Sequence, residues 1–239
     1  MERLLELTSN NNLGHLSSTL TTLPILEYIF ENKNLEDYVV LSNGHAGLAL
    51  YTILEKIYGH DAQKMYEDFG IHPYRDVKRH VYASTGSLGS GILLATGMAL
   101  GNKDKQIHCV ISDGESHEGS VWEALSFINR NNIHNITVYV NMNGYCAYDT
   151  IDQEYLKTRL ESFLPRIKIF KTKVPSFDKI EGLKGHYHVI SKEDKDNIIK
   201  LIPMSRMGNE KDIADAAIYL SEAEYVTGQI LNVDGGKSL

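Results

Sequence analysis

Asp113 and Asn143 stand 30 residues apart, and each lies just past a β-rich run, Gln106 to Ile111 and Ile136 to Val140. Between the runs Val121, Leu125 and Ile128 recur at helical spacing. Strand, helix and strand of these lengths make a βαβ unit, whose two parallel strands present their carboxyl ends at one edge of the sheet. The Asp113 carboxylate and the Asn143 side-chain oxygen are therefore expected to meet there. Two hard oxygen ligands suit a magnesium ion that already holds a diphosphate. Gly114 lets a phosphate approach the backbone, and the amino end of the next helix adds N–H donors. Without such a ligand, the same Asp and Asn are simply residues that turn or cap a chain.

The remaining chemistry-bearing residues sit on similar joints. Tyr38 to Leu41 reads as a strand that runs into Ser42-Asn43-Gly44-His45, followed by a helix through Ala49, Ile53, Leu54 and Ile57. The carboxyl ends of strands in an open α/β sheet are a usual place for a ligand. The stretch Ala83 to Gly91 carries glycines at 86, 89 and 91 and opens a helix at about Ile92. Such a loop brings backbone close to a flat ring or a phosphate, and it fits neither a GxGxxG nor a GxxxxGK[ST] pattern. His15 follows Leu13-Gly14 before a helix through Leu20, Leu23, Leu26, Tyr28 and Phe30, a context that also suits a capping histidine. The segment from Asp61 to Val77 begins as a helix and breaks at His72-Pro73. Arg79-His80 reads equally as a solvated charged turn. Later, Gln153 to Phe163 reads as a helix and Ile167 to Val174 as a strand. His186 and His188 could pair on zinc, but no third ligand stands at a suitable spacing.

Taken in order, these motifs resemble the thiamine-diphosphate-binding half of transketolases. The segments carrying the likeness are Leu13-Gly14-His15, Ser42-Asn43-Gly44-His45, the glycine loop, Asp113-Gly114-Glu115 with Glu118-Gly119, and Asn143-Gly144, and it extends over about residues 10 to 195. The resemblance implies an α/β fold, a doubly wound, mostly parallel sheet with helices on both faces. It implies magnesium held by Asp113, Asn143 and the Tyr145 carbonyl, with the diphosphate near His45, Gly114 and His186. Gly86 and Leu88 would meet the thiamine, and Glu115 and Asn143 would also contact the cofactor. His15 and His72 would line a sugar site and assist proton transfers. Glu118 matches a glutamate at the family's subunit interface; it is equally a carboxylate favoured at a helix N-terminus. The sequence departs from the family pattern at Ile71, Ser87, Ser112 and Ala147.

The implied activity is transfer of a two-carbon ketol unit between sugars, with thiamine diphosphate and Mg2+ as cofactors. Nothing in the 239 residues resembles the family's second domain, which supplies the pyrimidine site and its activating glutamate. A separate partner chain is therefore expected, in a dimer of heterodimers that accepts a phosphorylated or nucleotide-linked sugar, with specialised carbohydrate biosynthesis as the expected setting. The alternatives are an α-keto-acid decarboxylating subunit and a non-catalytic pseudo-enzyme that assembles a complex.

The tail changes character. Pro203 to Gly236 resembles the carboxyl end of short-chain dehydrogenases, with Ile213, Ala216, Ala217 and Leu220 forming an apolar stripe behind a capping Asn209. That family's glycine fingerprint and catalytic set are missing upstream, since Tyr74 and Lys78 have the spacing without a matching serine. The expected division is residues 1–200 as the cofactor domain and 201–239 as an appended tail.

Composition limits the remaining classes. A net charge of −7 without a basic run argues against nucleic-acid and membrane-surface binding. The stretch Gly91 to Leu100 is too short and glycine-rich to span a bilayer. Two cysteines in no metal-binding spacing, and no secretory signal, point to a reducing cytoplasm.

Overall fold

The computed structural model describes residues 3–4, 7–8, 11, 16–146, 149–173, 203–204, 206, 210–224, 226, 231–233 and 235–236. By its internal contacts the chain divides into two units, Met1–His188 and Val189–Leu239.

The first unit is built on a four-stranded, all-parallel sheet in the order β1-β2-β3-β4. The strands are β1 (Tyr38–Leu41), β2 (Ile107–Ser112), β3 (Ile136–Met142) and β4 (Lys168–Lys171). Both faces of the inner strands are buried, as expected where helices cover a parallel sheet on both sides. The side chains alternate accordingly. Val39, Leu41, Val110 and Tyr139 point into one core with α1 (Leu16–Asn32), α2 (Gly47–Tyr58) and α3 (Ala62–Phe69). Val40, Cys109, Ile111, Val138 and Val140 point into the other, with α4 (Ser90–Gly101), α5 (Gly119–Arg130) and α6 (Gln153–Phe163).

The long β1–β2 connection therefore visits both faces. Val81 belongs to the first core and Ala83 to the second, so the chain changes sides there and then runs as the glycine loop into α4. Local chemistry fixes the helix ends. Asp61 accepts the Lys64 N–H at 3.0 Å and Asp152 the Tyr155 N–H at 3.0 Å, satisfying donors that a helix start leaves open. Arg79 is tied to Asp68 and Asp76 at 2.7 and 2.8 Å, and His80 stacks on Tyr58 with ring centroids 3.8 Å apart. That turn is thus a packed, ion-paired one and not a freely solvated one.

Two sequence expectations change. Tyr28 is exposed, and α1 buries Ser17, Ser18, Thr19, Thr21 and Thr22 beside its leucines. The last strand is shorter than expected, Lys168–Lys171; it is an edge whose two lysines are exposed, as sheet edges often are. Its expected end at Val174 lies outside the described residues. Helix α4 is apolar all round: Ile92, Ala95 and Ala99 are buried, while Leu93, Leu94 and Leu100 are exposed, as is Phe127 on neighbouring α5.

In the second unit α7 (Glu210–Glu222) forms as expected, and Arg206 holds Asp212 through two hydrogen bonds of 2.8 and 2.6 Å. The expected apolar stripe is not a core face, because Ile213 and Leu220 are exposed. The capping role given to Asn209 lies outside the described residues. No helix among the described residues is long and apolar enough to cross a membrane.

Candidate active site

The carboxyl ends of β1, β2 and β3 share one rim, as parallel pairing requires: Leu41 is level with Val110, and Ser112 with Asn141. One residue beyond β2, the Asp113 N–H still donates to Asn141 O at 3.0 Å. A cleft of about 380 Å3 opens at this rim, and Asp113, Gly114, Asn143 and Tyr145 line it together. The two side chains singled out for a metal are therefore on one wall. His45, His72, Gly86, Leu88, Glu115 and Glu118 line the same cleft. His15 and His186 lie outside the described residues.

Asp113 is fully buried. Its Oδ2 accepts the Gly144 N–H at 2.6 Å and its Oδ1 the Gly114 N–H at 3.0 Å. Burial pushes its pKa up to about 6 against the pull of these N–H groups, as desolvation disfavours a charge. Asn143 Oδ1 accepts the Tyr145 N–H at 3.0 Å. The Tyr145 carbonyl oxygen lies 3.4 Å from where a Cβ on Gly114 would be. A carboxylate, an amide and a peptide carbonyl are thus supplied by residues that line one cleft. This is an all-oxygen donor set suited to a hard cation. Among the described residues no group of three or more His, Cys, Asp or Glu could hold a metal, so an ion on this wall needs further oxygens from a ligand.

The glycine loop lines the same cleft through Gly86 and Leu88. Gly86 has φ +147° and carries the His72 ring against it: a Cβ there would fall 2.9 Å from His72 Cγ. Gly89 has φ +78°, and a Cβ there would fall 2.2 Å from Ser120 Oγ. Glu118 occupies the N-cap position of α5 without a side-chain capping bond.

Glu115, fully buried, turns its Oε1 to the Ser42 hydroxyl at 2.6 Å and the Gly89 N–H at 2.7 Å, while Oε2 has no hydrogen-bond partner. Burial pushes its pKa up to about 7; the hydrogen bonds from Ser42 and Gly89 work against this. Ser18, His117 and Cys146 also line the cleft and were not singled out from the sequence. Ser18 lies within a helical stretch read only for its leucines, and His117 and Cys146 follow motif residues without being part of a motif.

Residues 10–164 match the family model described as transketolase, thiamine diphosphate binding domain. The chain belongs to this transketolase family. It is 39% identical over 118 residues to transketolase-like protein 2 of Mus musculus, a match that covers 45% of this chain and 19% of that protein. It is 25% identical over 220 residues to the 6-deoxy-6-sulfo-D-fructose transketolase subunit SqwG of Clostridium sp. (strain MSTE9), covering 83% of this chain and 74% of that one. Its fold is similar to a Pichia stipitis transketolase structure, with TM-score 0.59 and 23% identity over 67% of this chain and 29% of that one. This transketolase-family chain thus spans about a fifth of the length of the mouse relative.

Proposed function

We propose that this chain is the diphosphate-holding subunit of a two-chain transketolase that moves a two-carbon ketol unit between sugars. The observation that supports the reading is that Asp113, Asn143 and Tyr145 line one cleft together with Gly86 and Leu88 of the glycine loop. These three would hold Mg2+, with His45, Gly114 and His186 at the diphosphate and Gly86 and Leu88 against the ring system. Bound thiamine diphosphate supplies the carbanion chemistry, and the protein supplies orientation and electrostatics. His72, braced against Gly86, and His15 can exchange protons with sugar hydroxyls through their ring nitrogens.

A partner subunit completes the site with the pyrimidine-binding domain and its glutamate. The SqwG relative, itself named a subunit and aligned over 74% of its length, supports such a split. The same name favours a modified sugar substrate over a common one. Residues 201–239 are an appendage resembling short-chain dehydrogenases, used in packing or subunit contact, and the chain acts in the cytoplasm.

Titration calorimetry tests the cofactor claim. The wild-type chain is expected to bind thiamine diphosphate only with Mg2+ present, and Asp113→Ala to weaken binding by at least about 10- to 100-fold, the cost typical of losing even an outer partner of a metal site. Absence of binding by the wild type overturns the reading in favour of a non-catalytic assembly protein. The purified chain alone is expected to bind cofactor yet transfer no ketol unit, and full turnover without a second chain would refute the two-chain arrangement.

A further inference from the structure

Glu115 sits among the cofactor-facing residues, but its carboxylate bonds to protein. Ser42 follows directly on β1, and Gly89 closes the glycine loop; they lie 73 and 26 residues away in sequence. Both donate to the same oxygen of Glu115, at 2.6 and 2.7 Å. The turn that carries Glu115 is itself pinned. Its N–H donates to Ser112 Oγ at 3.1 Å, the Ser116 hydroxyl donates to Ser112 O at 3.1 Å, and the Trp122 indole donates to Ser116 O at 2.8 Å.

Gly89 is gripped twice, since its carbonyl also accepts the Ser120 hydroxyl at 3.1 Å. Both of its backbone groups are therefore held by the segment that follows Asp113. At the loop's other end the Thr85 N–H donates to Pro73 O at 3.1 Å. Gly86 and Leu88, the two residues that line the cleft, hang between these anchors.

We infer that Glu115 is a positioning residue: it locks the glycine loop to the tips of β1 and β2, and so fixes the ring-facing wall of the cleft relative to the metal-facing wall. One buried acceptor oxygen that receives two short hydrogen bonds ties both segments to a single point, and leaving both donors without it is costly. Orientation of this kind governs how well a rigid ligand can touch both walls at once. The inference rests on the cofactor reading above only for the identity of the ligand.

Glu115→Ala removes the acceptor, whereas Glu115→Gln keeps an oxygen at Oε1 that can still receive both donors. Two measurements separate the brace from a general loss of structure. In hydrogen exchange on the ligand-free chain, Glu115→Ala is expected to speed exchange at Gly89 by about tenfold or more, with Glu115→Gln close to wild type. In calorimetry, Glu115→Ala is expected to weaken thiamine diphosphate with Mg2+ by about tenfold or more and inorganic pyrophosphate with Mg2+ by clearly less, because pyrophosphate lacks the ring that meets Gly86 and Leu88 of the loop. Rescue of both by Glu115→Gln completes the expected pattern. Unchanged exchange at Gly89, an equal loss for both ligands, or failure of Glu115→Gln to rescue would overturn the inference. If the wild type binds neither ligand, the cofactor reading fails, while exchange at Gly89 still decides the brace.

Discussion

Two carboxyl groups sealed from water beside one cleft give the protein an unusual response to pH. Asp113 and Glu115 are both fully buried, and burial raises them from 3.8 to about 6 and from 4.5 to about 7. Their folded pKa values exceed the unfolded ones, so the folded chain binds more protons between those limits. Stability is then fully present below about pH 4 from these groups and is lost as pH rises through about 6 to 7. The contribution of these two groups is expected to fall between pH 5 and pH 7.5, against the opposite pull of His80 and His108, whose pKa values burial lowers. Asp113→Asn should flatten part of that slope, and Mg2+ with thiamine diphosphate should raise the melting temperature at pH 7.5. An identical dependence of melting temperature on pH in the wild type and Asp113→Asn would contradict the account. The meeting of Asp113 and Asn143 was legible in the sequence, because parallel strands place their ends on one rim whatever the side chains elsewhere do. The bonds of Glu115 were not legible: they depend on a fold that brings Ser42 and Gly89 to it, and no local pattern encodes that.

The elements were largely readable from hydrophobic spacing, yet α1 shows what spacing leaves out. Its Thr21 and Thr22 hydroxyls receive the Asn141 side-chain N–H groups at 2.9 and 3.0 Å, and Thr172 donates to Asn141 Oδ1 at 2.6 Å. The Asn43 amide adds a bond to Thr22 Oγ1 at 3.2 Å. A polar helix face is thus buried against the ends of β1 and β3, beside the cleft that Ser18 lines. Partners 119 and 120 residues apart leave no trace in a helical periodicity. Removing the hub should leave several buried hydroxyls short of a partner. Asn141→Ala is expected to destabilise the chain by roughly 1–3 kcal/mol in denaturant unfolding, whereas a loss below about 0.5 kcal/mol would show that water readily replaces the amide.

Across the whole molecule, the arrangement of the sheet explains why the cleft sits where it does. The connection from β1 to β2 fills both cores and passes from one to the other between Val81 and Ala83. Its glycine loop then comes to face the strand tips. Motif order along residues 10–164 was enough to place the family. The tail helix α7 was legible as a helix but not as a surface one, since an apolar stripe looks the same whether or not something covers it. Helix α4 raises the same issue more sharply, with Leu93, Leu94 and Leu100 at 46%, 44% and 47% exposure, and Phe127 on the neighbouring α5 at 45%. Exposed oily surface of this kind lowers solubility without adding to fold stability. The isolated chain should therefore precipitate at modest ammonium sulfate concentrations and brighten a dye such as anilinonaphthalene sulfonate even when fully native. Leu93→Lys with Leu94→Glu should raise the salting-out threshold and dim the dye, while the unfolding free energy moves by no more than about 0.5 kcal/mol per site, the usual range for surface changes.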